Sequence, residues 1–188
     1  GVEFAEIFNA LGVDVKILEK TSSVLPSLDG DLSKAFHRIM RKRGIEIHTN
    51  VNIESVEVES NGVSRIKAAS SGSQLDLSVE KVLLATRRRS STKDLGLENV
   101  GLQLIDGFII VDEHMRTSVP NIYAVGDVTG GKMLAHVAFA EGMVAAENIA
   151  RMETTMDYRA VPTCVYTSPE IASIGLSEEE ATKLGYKI

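Results

Sequence analysis

Gly126 and Asp127 stand where a short apolar run gives way to glycines and then to an Ala-rich stretch with a helical pattern. A glycine there lets the backbone approach a phosphate or sugar, and a carboxylate at the carboxyl end of a strand can accept hydrogen bonds from ribose or ribityl hydroxyls. The helix predicted from Met133 presents N–H groups and a partial positive charge that stabilise an anion. These residues indicate a site for a polyol or nucleotide; the alternative is a strand–turn–helix with Asp127 as an ordinary N-cap.

Gly1 and Glu19 have the spacing of half a dinucleotide-binding motif. In such a βαβ unit, three glycines occupy the strand-to-helix turn, and an acid about 20 residues further on binds the ribose 2′-hydroxyl. Gly1 stands directly before a predicted helix, where the third glycine allows close packing, and Glu19 ends the next predicted strand. The first strand and the other two glycines would then precede residue 1. A surface Glu after a strand would give the same pattern.

Amphipathic patterns predict the elements that position these residues. Residues 2–11 and 31–43 have helical periodicity, while "VDVKILE" (13–19) and "IEIHTNV" (45–51) alternate as strands. The order helix, strand, helix, strand predicts a parallel α/β sheet. The side chains predicted to face inward are Val2, Phe4, Ala5, Phe8 and Leu11 in the first helix, and Leu32, Ala35, Phe36, Ile39 and Met40 in the second.

The pattern changes after residue 51. Short alternating runs separated by "SNG" and "SSGS" predict an antiparallel β-meander that leads into a buried strand at residues 81–86. Strands are also predicted at 107–112 and 121–127, a long Ala-rich helix at 132–150 and two strands within 161–177. Ser177 and Glu180 have the spacing of a capping box and predict the start of a last helix.

Composition excludes several classes of protein. The 188 residues carry a net charge of −6, which argues against nucleic acid as the main partner. No apolar run approaches the length of about 18 residues that a membrane span needs. The single cysteine, Cys164, excludes an internal disulfide, a Cys-rich metal site and a dithiol redox centre within this chain. No metal site is predicted.

Three stretches together resemble the pyridine nucleotide–disulfide oxidoreductase family. "GVEFAEIFNALG" with "ILE" is similar to the middle of its NAD-binding domain, and "TSVPNIYAVGD" followed by "MLAH" to its second FAD-binding motif. "VPTCVYTSPEIASIGLSEEEA" is similar to the first part of its dimerisation domain. The stretches occur in the family's order and cover nearly the whole chain. Within the family, "MLAH" resembles the dihydrolipoamide dehydrogenases, whereas glutathione reductases usually carry a Thr-Pro pair there.

The resemblance implies an α/β fold in three parts. Residues 1–87 would form a Rossmann-like NAD-binding domain with a β-meander, residues 88–152 the C-terminal part of a FAD-binding domain, and residues 153–188 the start of an α+β dimerisation domain. FAD and NAD are the implied cofactors. The implied partners are a second copy of the chain and subunits of a 2-oxo acid dehydrogenase complex, and the implied location is the cytoplasm or, in a eukaryote, the mitochondrial matrix.

The resemblance also implies roles for single residues. Gly1 would be the last glycine of the NAD fingerprint, Glu3 would approach the nicotinamide, and Glu19 would bind the adenosine ribose. Asp127, after Gly126, would bind the flavin ribityl chain. Backbone groups near the flavin pyrimidine edge would come from Met133, Leu134 and Ala135.

The chain departs from the family at "ATRRRSST" (85–92), where members usually carry "ATGR-x-P-N". Arg87 replaces the glycine and Ser90 replaces the proline. A glycine there permits a backbone conformation or close packing that Arg reaches only with strain. Arg87 is therefore predicted to lie at the cofactor site, where it either lowers NAD affinity or contacts a cofactor phosphate.

The family's redox Cys pair and its C-terminal His–Glu pair are not among these residues, so a central part of such an enzyme is expected. Strands 13–19 and 81–86 would then have unpaired edges in this chain. In the complete enzyme, electrons would pass between NAD(H), FAD and the redox-active disulfide, and then to or from dihydrolipoamide. Two alternatives stay open: a non-catalytic NAD-binding module of the same fold, and a sister flavoenzyme such as a mercuric reductase or a soluble transhydrogenase.

Overall fold

The computed structural model describes residues 1–70, 72–86 and 88–188, and this part of the chain contains both helices and strands. They divide into two units, one formed by residues 1–86 with 162–188 and the other by residues 87–161. The mixed content of helices and strands confirms the predicted α/β class. The division into domains at residues 87 and 152 stays a prediction.

The first unit begins with a helix–strand–helix–strand order, as the sequence predicts. Helix α1 (Val2–Ala10) is followed by strand β1 (Lys16–Leu18), helix α2 (Gly30–Lys42) and strand β2 (Glu46–His48). Strands β1 and β2 pair in parallel, so the predicted parallel arrangement is confirmed. Asp29 is the N-cap of α2 and accepts a hydrogen bond from the N–H of Asp31.

The apolar core of this unit draws on both ends of the chain. Phe36, Met40 and Ile45 are almost completely buried. Val165 and Ile171 join them from strands β8 (Thr163–Val165) and β9 (Ile171–Ser173), which pair antiparallel. Burial of a side chain the size of Phe or Met contributes about 1.5–3 kcal/mol, so residues 162–188 share in the main source of stability of the unit.

Helix α1 buries less of its predicted inward face than expected. Ala5 is buried, but Phe4 is 53% and Phe8 is 38% exposed, and their rings stack with centroids 6.0 Å apart. Leu11 is 75% exposed. The prediction therefore holds for Ala5 and for Val2, which packs against the core, and is wrong for Phe4, Phe8 and Leu11. In α2 the prediction holds for Phe36 and Met40, whereas Leu32 is 37% exposed.

A three-stranded antiparallel sheet follows, which confirms the predicted β-meander. Its strands are β3 (Val51–Val58), β4 (Ser64–Ser70) and β5 (Ser73–Val79), in the order β3-β4-β5. Residues 81–86, predicted as a buried strand, lie outside any strand of the described residues, and Leu83 and Leu84 are exposed. That prediction is wrong because a strand needs backbone hydrogen bonds to a neighbouring strand. In the described residues the parallel sheet contains only β1 and β2, and residues 81–86 do not pair with either.

The second unit contains short elements and one long helix. Strands β6 (Leu104–Ile105) and β7 (Phe108–Ile109) pair antiparallel, and helix α3 spans Ala135–Ile149. Single-turn 3₁₀ helices cover Leu97–Val100 and Gly126–Thr129. The strand predicted at 107–112 is present as β7.

Two predictions for the second unit need correction. Residues 121–127 form no strand, because their backbone bonds reach residues 115–117 only at single points, including one isolated bridge between Arg116 and Tyr123. Helix α3 begins at Ala135 rather than at residue 132, because Leu134 has extended backbone angles (φ −124°, ψ 138°).

The last helix, α4 (Glu178–Lys183), begins as predicted. Ser177 and Glu180 form a full capping box, in which each side chain bonds to the other residue's backbone N–H. Asp29 accepts a further hydrogen bond from the N–H of Glu178 at 3.0 Å, which joins the starts of α2 and α4. In the described residues, no helix is both long enough and apolar enough to span a lipid bilayer.

Candidate cofactor sites

The turn at Gly126–Thr129 requires a glycine at its first position. Gly126 has a φ of +78°, a conformation that other L-residues rarely adopt. An ideal Cβ on Gly126 would lie 3.3 Å from the Cβ of Ala138, which belongs to α3. The hydroxyl of Thr129 closes the turn by donating to the carbonyl of Gly126 at 2.9 Å. The backbone at Gly126 thus lies in close contact with α3, and Asp127 is the next residue of the turn.

Asp127 is joined to the start of α3 by one arginine. Arg88 donates from Nη1 to Oδ2 of Asp127 at 2.7 Å and from Nη2 to the carbonyl of Met133 at 2.7 Å. Both charged side chains are more than half exposed, at 62% and 51%, so the ion pair adds only about 0–1 kcal/mol to stability. Its main effect is geometric, because it brings together two residues that the sequence assigned to one flavin site.

Within the part of the chain that the structure describes, the N-terminus of α3 has no side-chain cap. Leu134 is the N-cap, the first turn of α3 carries no acidic residue, and no side chain of the described residues accepts a capping hydrogen bond there. The partial positive charge at this end of the 15-residue helix is therefore not offset by an acid in its own first turn. Met133, Leu134 and Ala135, the predicted contacts of the flavin pyrimidine edge, lie at this end, which is where a helix stabilises negative charge.

A buried carboxylate supports the turn from the side of α3. Glu141 is 3% exposed, and its Oε2 accepts a hydrogen bond from the N–H of Gly126 at 2.6 Å. Its Oε1 accepts a hydrogen bond from the hydroxyl of Tyr158 at 2.7 Å. Burial, and next the bond to Glu141, raise the pKa of Tyr158 well above its usual range, so the hydroxyl keeps its proton and stays a donor.

In the first unit, Gly1 lies where a side chain would make a tight contact with Ala85. It is the N-cap of α1, and its carbonyl accepts the N–H of Ala5 at 2.9 Å. An ideal Cβ on Gly1 would lie 3.2 Å from the Cβ of Ala85. This close approach is the property for which the third glycine of a dinucleotide fingerprint is needed.

Glu19 directly follows the parallel strand β1 and is held by a local turn. Its Oε1 accepts hydrogen bonds from both the N–H and the hydroxyl of Thr21, each at 2.8 Å. Its backbone N–H donates to the carbonyl of His48 at the end of β2. The carboxylate therefore lies at the carboxyl edge of the parallel pair, the edge at which open α/β sheets bind ligands.

Glu3 makes a different contact in this structure. Its Oε1 accepts the N–H of Tyr166 at 2.8 Å, just after β8. One turn later on α1, Glu6 accepts the N–H of Ser168 at 2.8 Å and pairs with Arg43. Two acidic side chains at the start of α1 thus accept hydrogen bonds from the backbone of residues 166–168. The role of Glu3 near a nicotinamide stays a prediction.

The remaining predicted residue, Arg87, lies outside the described residues. Three further residues, Arg88, Glu141 and Tyr158, make contacts at the turn and were not predicted from the sequence. Arg88 lies in the "RRR" run, at the arginine of the "ATGR" pattern, and that pattern could have found it. Glu141 is a lone acid in the apolar stretch 137–145, which is a weaker signal, and nothing local distinguishes Tyr158. The described residues contain no group of three or more His, Cys, Asp or Glu side chains suited to a metal ion.

Residues 1–142 match the family model of the pyridine nucleotide-disulphide oxidoreductases, and residues 161–188 match the dimerisation domain of the same family. The chain belongs to this family. The match confirms the resemblance found in the sequence and supports FAD, NAD and a homodimer as the expected cofactors and assembly.

Dihydrolipoyl dehydrogenases are among the similar proteins. The enzyme of Thermus scotoductus is 40% identical over 190 residues, which cover 100% of this chain and 41% of that protein. The enzyme of Chlamydia pneumoniae is 42% identical over 182 residues, or 96% of this chain and 38% of that protein. The chain therefore spans about two fifths of the length of these relatives.

A solved structure shows the same fold. The HOCl-induced flavoprotein disulfide reductase RclA from Escherichia coli, in its Cu(II) complex, matches with a TM-score of 0.85 and 31% identity. The match covers 98% of this chain and 41% of that one.

Proposed function

We propose that this chain is the central part of an NAD-linked flavoprotein disulfide oxidoreductase whose thiol substrate is dihydrolipoamide. The main support is the turn at Gly126–Asp127. Arg88 donates hydrogen bonds both to Asp127 and to the carbonyl of Met133, next to the start of α3, which has no side-chain cap among the described residues. The choice of substrate is supported by relatives named dihydrolipoyl dehydrogenase at 40% and 42% identity.

The residues present fit a flavin in the second unit. An ionised carboxylate offers about four acceptor positions, and Arg88 takes one of them on Oδ2 of Asp127, so Oδ1 can accept bonds from ribityl hydroxyls. The start of α3 would stabilise negative charge on the reduced ring. FAD, when bound, supplies the two-electron chemistry; the chain's own residues bind it and orient it.

Glu19 fits the ribose of NAD in the first unit. Thr21 fixes one carboxylate oxygen, which orients the other for a 2′-hydroxyl. The same negative charge would repel a 2′-phosphate, so NAD is preferred over NADP. Assembly as a homodimer, binding to subunits of a 2-oxo acid dehydrogenase complex, and a cytoplasmic or mitochondrial-matrix location belong to the same proposal.

Steady-state turnover of the complete protein tests the proposal. Purified protein would be assayed for NAD⁺ reduction by dihydrolipoamide, and for NADH oxidation by glutathione disulfide, by mercuric ion and by an NADP⁺ analogue. We expect kcat/KM for dihydrolipoamide to exceed that for each other substrate by at least about tenfold, a difference of about 1.4 kcal/mol in transition-state stabilisation. Faster turnover of mercuric ion or of the NADP⁺ analogue would instead assign the chain to a sister flavoenzyme. Absence of turnover with every substrate would favour a non-catalytic NAD-binding module.

A further inference from the structure

Glu141 is a charged residue inside an apolar stretch of α3. It is 3% exposed, and its neighbours in the helix are mostly Ala, Val, Phe and Met. Hydrogen bonds to both oxygens reduce the free-energy cost of burying a carboxylate. Here one oxygen accepts the N–H of Gly126 and the other accepts the hydroxyl of Tyr158. The carboxylate therefore joins the turn before α3 to the segment after it.

Gly126 meets α3 at two points that lie on the same face of the helix. Its Cα faces Ala138, and its N–H donates to Glu141, three residues further along. At the first point a Cβ would lie only 3.3 Å from the Cβ of Ala138, and at the second the hydrogen bond fixes the orientation of the peptide. Together they determine the direction in which the next residue, Asp127, leaves the turn.

We propose that Glu141 is a positioning residue of the FAD site. Its carboxylate, oriented by the hydroxyl of Tyr158, holds the N–H of Gly126 and so places the carboxylate of Asp127 for the flavin. Glu141 acts through Asp127 and has no contact with the cofactor in this scheme. The inference rests on the proposed function, because it takes Asp127 as the residue that binds the ribityl chain.

The test compares single and double variants of the complete protein. Glu141→Ala removes both hydrogen bonds, Glu141→Gln keeps an oxygen acceptor for Gly126, and Tyr158→Phe removes only the second donor. Glu147→Gln, on the same helix, is the matched control. The FAD dissociation constant would be measured by flavin fluorescence, the midpoint potential of the bound flavin by redox titration, and amide exchange of Gly126 by NMR in the FAD-free protein.

The loss of a charge-assisted hydrogen bond to a buried carboxylate should weaken FAD binding by at least about tenfold in Glu141→Ala. Faster exchange of the Gly126 amide and a shifted midpoint potential should accompany it. We expect Glu141→Gln to stay within about threefold of the wild type, because its oxygen still accepts the N–H of Gly126. Tyr158→Phe should fall between the two, and Glu147→Gln should have no measurable effect.

A double variant separates positioning from general stability. If Glu141 acts through Asp127, Glu141→Ala should add less than about twofold to the loss of affinity in an Asp127→Ala background, because the coupled effects are then not additive. A full additional tenfold loss there would overturn the inference, as would wild-type affinity in Glu141→Ala. Should Glu141→Ala fail to fold, wild-type FAD affinity together with unchanged Gly126 exchange in Tyr158→Phe would overturn it. A wild-type protein that binds no FAD would refute the proposed function and the inference with it, whereas normal binding by both wild type and Glu141→Ala would refute the inference alone.

Discussion

The two candidate cofactor sites hold their acidic residues by different means. Glu19 is held by Thr21, two residues further along the chain. Asp127 is held by Arg88, 39 residues earlier, and the glycine before it by Glu141, 15 residues later. The first site is thus fixed by its own turn, and the second by side chains that the fold of its unit brings together.

Long-range contacts also exist in the first unit, but they serve a different purpose. Glu6 accepts the N–H of Ser168, which is 162 residues away, and pairs with Arg43. These bonds hold the segment after β8 against α1 rather than shaping the edge at Glu19. Substitution of distant residues should therefore affect stability in the first unit and cofactor binding in the second.

The largest effect on stability is expected for Glu6→Ala. The side chain of Glu6 is 14% exposed, and its loss would remove the ion pair with Arg43 and leave the N–H of Ser168 without its acceptor. We expect the free energy of unfolding to fall by about 2–3 kcal/mol, while the preference for NAD over NADP stays unchanged. Denaturant unfolding of the complete protein, with exchange of the Ser168 amide as a local probe, would measure this. Glu3→Ala, which loses one backbone bond and no ion pair, is the control; an equal loss in both variants would contradict the account.

The next effect is expected for Gly126→Ala. The positive φ should cost about 1–2 kcal/mol, and the contact with Ala138 should raise that cost and displace Asp127, so FAD affinity should fall as well. Gly131→Ala is the matched control, because Gly131 also has a positive φ (+66°) but no described atom lies within 4 Å of its ideal Cβ. Gly142→Ala, in the interior of α3, should stabilise the unit by about 0.5–1 kcal/mol. Thermal unfolding and FAD titration would compare the three, and equal losses for Gly126→Ala and Gly131→Ala would count against the role of the close contact.

Contacts between residues close in sequence could be predicted, whereas contacts between distant segments could not. The capping box of Ser177 and Glu180 was predicted because both residues belong to one turn of α4. Residues 81–86 and 121–127 were wrongly predicted as strands, because an apolar alternating run becomes a strand only where a neighbouring strand is available. In the candidate flavin site, too, local features could be predicted and long-range contacts could not. The motif around Asp127 predicts its role. The hydrogen bonds from Arg88 to Asp127 and from Gly126 to Glu141 could not be predicted, because they depend on tertiary contacts between distant segments.

A change in cofactor preference is expected for Glu19→Ala. Removal of the carboxylate eliminates both the bond to a ribose 2′-hydroxyl and the repulsion of a 2′-phosphate. The ratio of kcat/KM for NAD to that for NADP should fall by about tenfold, or about 1.4 kcal/mol. Lys20→Ala should move the ratio in the opposite direction, because a cation adjacent to Glu19 in the sequence would partly offset the repulsion. If neither variant changes the ratio of kcat/KM for NAD to that for NADP, Glu19 does not bind the ribose.

The smallest effect is expected for Tyr158→Phe at high pH. The pKa of Tyr158 is raised above the value of about 10 expected for the unfolded chain, so its stabilising contribution is fully present below pH 10. Above that pH the unfolded state loses the proton first, and the contribution is lost as the pH rises towards the folded pKa. The difference in unfolding free energy between wild type and Tyr158→Phe should therefore be constant up to about pH 9 and shrink above about pH 10. Tyr158 is 38% exposed, so solvent screening keeps the effect small, and a difference that grew with pH would contradict the assignment.

FAD binding by the complete protein tests the central claim most directly. Asp127→Ala and Asp76→Ala make the same change in two exposed ion pairs, since Asp76 pairs with Arg65 in the β-meander and is 48% exposed, against 51% for Asp127. The account predicts that wild type and Asp76→Ala bind one FAD per chain, that NADH bleaches the flavin absorption in the absence of oxygen, and that Asp127→Ala binds FAD at least about tenfold more weakly. Equal FAD affinity in the two variants, or a wild-type protein that cannot be reconstituted with FAD, would contradict it.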